Sequence, residues 1–163
     1  MSHTFAKGSP ELHELLRWWS ALDHDRATRA ELRRAQGTMD VIQLPSFHDV
    51  RRRLISVGLP EPEANSDRLA LVAGLLSHIK ANGESSAPKA FSQGDRPAVS
   101  PIRFRQVLEA HDTDELYRRL RRVLPSADGA LSVGQLASDV FHWSESVRKC
   151  WVYDYAWPQK QSI

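Results

Sequence analysis

The stretch Ile102–Leu124, IRFRQVLEAHDTDELYRRLRRVL, decides the fold of this chain. At about 100° per residue, Leu116, Leu120, Val123 and Leu124 fill one arc of a helical wheel. Arg118, Arg121 and Arg122 gather on the opposite arc, and Arg119 falls at the border. Asp112 followed three residues later by Glu115 is a capping box, so the arginine helix starts there and a separate helix precedes it. Six arginines therefore sit on two consecutive helices, most of them off the apolar stripe. A helix with a dry face and a guanidinium face packs inward on its own protein and binds phosphate outward.

The same punctuation runs outward in both directions. Ser9-Pro10-Glu11 is an N-cap, a proline at the first helical position and an early acid, followed by Leu12, Leu15, Leu16, Trp19 and Leu22 at helical spacing. A second helix is predicted over residues 25–36, ending at Gly37. Pro45-Ser46 opens a third, with Phe47, Val50 and Leu54 inward and Gly58 closing it. Residues 68–79 are apolar on nearly every side, which predicts a central buried helix. Residues 82–98, NGESSAPKAFSQGDRPA, lack periodicity and predict a loop or hinge. Ser100-Pro101 repeats the cap-plus-proline device. Ser132 with Gln135 caps a helix running to Trp143, and Ser144 or Ser146 starts a last one carrying Val147, Trp151 and Tyr155. The expectation is an all-α bundle of seven to eight helices, with an N-terminal lobe at 1–98 and a C-terminal lobe at 99–163.

At 163 residues the chain is long enough to bury a proper core, and its net charge of +2 is too small to specify a polyanion partner by itself. The kind of cation says more, with 17 arginines against 5 lysines. Arginine grips phosphate bidentately, although an arginine-rich codon bias gives the same ratio. Cys150 is the only cysteine, which excludes an intrachain disulfide and a CxxC zinc site. A reducing, cytoplasmic setting is expected, with no apolar run long enough for a membrane span.

A second basic stripe adds to the first. Arg26, Arg29 and Arg33 lie within about 60° of one another on their helix, with Arg34 beside them. Arg148-Lys149 adds a third basic point. Arg51, Arg52 and Arg53 point in three directions, so at least one is expected to be structural or partner-facing. Trp19, Trp143 and Trp151 are in phase with core residues. Trp18 lies off its stripe, which leaves it free for a second subunit or a nucleotide, and Trp157 is ambiguous. The knot His111, Asp112, Asp114 and Glu115 has the composition of a metal site, yet helix capping explains it more simply. No HxxxH, HExxH, Walker A, GxGxxG or GxSxG pattern occurs. No catalysis, metal or cofactor is expected.

Taken in order, LLRWWSAL, RAELRRA, LPSF, the Ile102–Leu124 block and LASDVFHW…VRKCWVYDYA resemble the small subunit of the type I-E CRISPR surveillance complex Cascade, the CasB family. The resemblance spans about residues 12–156. It implies an all-helical, non-enzymatic subunit present in two copies, beside the backbone subunits that hold the guide RNA and next to the large subunit. Its basic surface would hold the guide–target duplex and the displaced non-target DNA strand, stabilising the R-loop. Arg33-Arg34, Arg103 and Arg121-Arg122 match basic positions of the family. Arg148 lies near another basic pair, and both the HDTD stretch and the 82–99 loop depart from the pattern. The candidate nucleic-acid-binding set is Arg26, Arg29, Arg33, Arg34, Arg103, Arg118, Arg121, Arg122, Arg148 and Lys149. The alternative is a helical protein–protein interaction module with no nucleic-acid contact.

Overall fold

Leu69–Ile79 contains no carboxylate, lysine or arginine, and every one of these residues is buried in the computed structural model, which describes residues 4–159. Their helix, α6 (Asp67–Leu76), forms the axis of the molecule. Before it come α1 (Pro10–Ala21), α2 (Arg26–Arg34), α3 (Thr38–Ile42), α4 (Pro45–Ser56) and α5 (Glu61–Ala64). After it come α7 (Ala87–Ser92), α8 (Pro101–Leu108), α9 (Thr113–Val123), α10 (Val133–Phe141) and α11 (Glu145–Asp154). Short 3-10 turns follow α1 and α9. Helices α2, α3, α4, α5, α9 and α10 pack on α6, while α1 packs on α4 and α10. An apolar helix enclosed by amphipathic ones is what the even hydrophobicity of this segment requires.

The all-α expectation is met, with eleven α-helices among the described residues rather than seven or eight. The additional helices are the short α3, α5 and α7. Helix α7 lies inside the stretch expected to be a loop or hinge. Its Ala87, Pro88, Ala90 and Phe91 are buried, so small residues that resemble linker composition here serve close packing. The stretch before it is also tied down. Gly83 N–H donates to Leu131 O at 2.8 Å and Ser132 N–H to Ser85 O at 2.7 Å, forming one isolated parallel bridge. A Cβ at Gly83 would lie 2.2 Å from the backbone oxygen of Ala130, which explains the glycine.

The expected starts hold in detail. Ser9, Asp25, Ser100, Asp112, Ser132 and Ser144 each accept a hydrogen bond from the backbone N–H three residues on. Glu115 reaches back one residue beyond the cap of the expected capping box, accepting from His111 N–H at 3.2 Å, and Asp114 accepts from both N–H and hydroxyl of Thr38, fastening the start of α3. The acidic knot is thus used in helix starts, and no group of three or more metal-ligating residues occurs among the described residues.

Helices α7, α8 and α11 meet through aromatic rings. Phe104 stacks on Tyr155 at 4.3 Å between centroids and lies parallel to Trp151 at 6.4 Å, and Phe91 meets Trp151 edge-on. Trp18 is a correction. It is buried against the α1–α2–α4 contact, because α1 is covered on two sides rather than one. Trp157 is half-buried beneath Arg105, 5.3 Å from guanidinium carbon to ring centre.

Candidate nucleic-acid interface

Five arginines donate to backbone carbonyls at the ends of helices. Arg29 reaches Ile79 O at 3.0 Å just past α6, and Arg68 reaches Phe141 O at 3.3 Å at the end of α10. Arg119 and Arg148 reach Gln106 O and Leu108 O at the end of α8, and Arg121 reaches Arg33 O at 3.1 Å in the last turn of α2. The last carbonyls of a helix have no partner within it and carry its negative dipole end, so a guanidinium satisfies both needs. A good part of the arginine excess is therefore architectural.

This divides the expected set. Arg29 is 6% exposed, with its guanidinium held by Asp23 at 2.9 Å and Ile79 O. It lines the same groove as Arg26 and Arg33, with its guanidinium engaged by Asp23 and Ile79 rather than free. Arg148 is half-buried on Leu108 O, and Lys149 is exposed but paired with Glu145 at 3.3 Å. Of the 51–53 run, Arg51 is structural, donating to Asn65 Oδ1 at 2.7 Å.

Several of the remaining cations meet at one junction. Arg26, Arg29 and Arg33, one face of α2, line a groove of about 550 Å³ together with Lys80 and a single acid, Asp23. Arg121 crosses from α9 to the end of that same helix. Arg34, Arg118 and Arg122 are exposed on the neighbouring helix surfaces. Arg103 is exposed in the first turn of α8 and is not part of this groove. None of Arg33, Arg34, Arg103, Arg121 and Arg122 forms an ion pair with a carboxylate among the described residues. Lys80 was not among the sequence candidates. Its signal was its position: a lone cation closing an apolar run marks where the central helix reaches the surface.

His78 registers the field at this junction. It is 9% exposed, its Nε2 has no hydrogen-bond partner, and burial pushes its pKa down to about 4, with Arg121 and Arg33 adding to the depression. The unfolded chain takes up this proton near pH 6.5 and the folded chain only near pH 4. In that window the unfolded state holds more protons, so stability is full above pH 6.5 and falls as pH is lowered. The loss should reach roughly 2–3 kcal/mol at the acid end. Urea melts at pH 7 and 4.5 should show this slope, and His78→Leu should flatten it. An equal slope in the variant would assign the effect to other groups. Tyr117, whose hydroxyl also lacks a partner, is pushed upward by burial, and its ring occupies the space left by Gly74.

No helix among the described residues is long and apolar enough to cross a membrane. No curated protein matches the chain. In fold it is similar to a chain in the crystal structure of E. coli Cascade bound to a PAM-containing dsDNA target, with a TM-score of 0.68 and 22% identity, covering 86% of this chain and 91% of that one. The family described as CRISPR-associated protein Cse2 matches residues 28–155, from the first turn of α2 to the residue after α11, and the chain belongs to that family.

Proposed function

We propose that the chain is a non-catalytic subunit of a Cascade-type surveillance complex in CRISPR defence. In this reading it holds nucleic-acid backbone along the α2–Lys80–α9 surface and stabilises the R-loop and its displaced non-target strand. Its partners are the guide RNA, the target DNA, the backbone and large subunits, and a second copy of itself. The observation that carries the reading is the convergence of Arg26, Arg33 and Lys80 in one groove, with Arg121 reaching the same end of α2. Exchange of a DNA duplex for a guide–target duplex is nearly balanced in energy, so modest contacts to the displaced strand suffice to tip it. Base-reading side chains are unnecessary, because the guide reads sequence.

The test is fluorescence anisotropy of labelled oligothymidine against salt. Three to four phosphate contacts predict a log–log slope of about −2 to −3. Absence of binding at low salt would favour the interaction-module reading, which the five carbonyl-capping arginines make worth keeping.

A further inference from the structure

We propose that the cleft between α10 and α11 is a docking site for a basic segment of a partner protein, one that carries arginine or lysine beside an apolar anchor. The cleft is about 640 Å³, with Phe5, Leu12 and Leu16 among its apolar lining. Glu84, Asp139 and Asp154 line it against a single cation, Lys7. None of these carboxylates forms an ion pair among the described residues. Asp139 is held in place, accepting from Gln135 Nε2 at 2.8 Å and Trp151 Nε1 at 2.9 Å. Burial raises its pKa and the charge of Asp154 adds to the rise, while its two hydrogen bonds and His142 oppose it.

The rim carries a second feature. Tyr153 is 87% exposed, and on the α11 wheel it falls about 20° from Ser146 and 60° from Cys150, both of which line the cleft. An exposed ring at the edge of an acidic cleft suits a basic segment, one of whose cations stacks on the ring face while another enters the cleft. Apolar lining, a charged rim and one protruding aromatic are the elements of an interface anchor pocket. The same carboxylates repel phosphate, which separates this surface from the basic groove. The two clefts share no lining residue, so this inference stands apart from the nucleic-acid reading.

The test uses the full chain and a labelled ten-residue peptide alternating arginine and leucine, with a glutamate–leucine peptide as control. Saturable binding of the basic peptide is expected. Glu84→Gln with Asp154→Asn should weaken it about fivefold or more, and Tyr153→Ala by a similar factor. None of the three side chains makes an internal hydrogen bond among the described residues, so the melting temperature should hold. Oligothymidine binding should be unchanged in both variants. The proposal is overturned by equal affinity for the two peptides, by unchanged affinity in the double variant, or by loss of oligothymidine binding in Tyr153→Ala, which would make the ring a base-stacking platform.

Discussion

Arg33→Glu combined with Arg34→Glu should lower affinity for oligothymidine by about a hundredfold at low salt. Each reversal removes a charge-assisted phosphate contact, worth about tenfold. The salt slope should shrink by about 0.7 per lost contact. Neither side chain forms an ion pair among the described residues, and both are exposed at the end of α2. The carbonyl of Arg33 that Arg121 holds is backbone and survives the change. Stability should fall by only about 1–2 kcal/mol, because both reversals put acid at the negative end of the α2 dipole. Arg29→Gln supplies the contrast. It takes the guanidinium away from the Ile79 carbonyl, which keeps the Trp19 indole N–H at 2.9 Å, and from the half-exposed carboxylate of Asp23, so it should cost roughly 1–2 kcal/mol while the salt slope stays as it was. In a reconstituted complex the Arg33/Arg34 variant should shorten R-loop lifetime. An unchanged lifetime, with oligothymidine affinity intact, would sink the backbone-binding role.

Why Arg29 and Arg33, one turn apart on one helix, have such different fates was not legible in the sequence. Helix starts were legible because their chemistry is local: Ser9, Asp25, Ser100 and Asp112 each bond a backbone N–H three residues away. Helix ends are closed by long-range partners here. The arginine and the carbonyl that it caps are 50 residues apart for Arg29, 73 for Arg68 and 88 for Arg121. A helical wheel sees charge on a face and not the foreign helix terminus that the face meets. The same limit hid Lys80, whose neighbours Arg26 and Arg33 come from a helix far earlier in the chain.

The central helix was legible because an apolar run without a polar face has only one stable place. Helix α7 was not, since Ala87, Pro88 and Ala90 are as common in linkers as in tight contacts, and only the burial of Phe91 against Phe104 and Trp151 reveals which applies. Trp18 failed for a related reason. A wheel assigns one buried arc to a surface helix, whereas α1 packs on both α4 and α10.

Trp151→Ala should be the most damaging single change to the fold. Its side chain is 1% exposed and sits among Phe91, Trp143 and Phe104, with ring centroids at 6.1, 4.8 and 6.4 Å. Truncation of a fully buried tryptophan removes its transfer free energy and leaves a cavity, together about 3–5 kcal/mol. Small globular proteins hold only about 5–15 kcal/mol in total. The loss corresponds to a fall in melting temperature of about 10 °C or more for a chain of this size. Asp139 also loses the indole N–H, the strongest of the contacts that hold its pKa down against burial, so its pKa should climb further. Trp151→Phe separates the two effects: most of the packing stays, the hydrogen bond goes, and the cost should drop to about half. Trp157→Ala, at a half-buried ring with one cation above it, should cost about 1 kcal/mol. Urea unfolding followed by circular dichroism gives all three values. A Trp151→Ala loss no larger than that of Trp157→Ala would show that the rings joining α7, α8 and α11 do not hold these helices together.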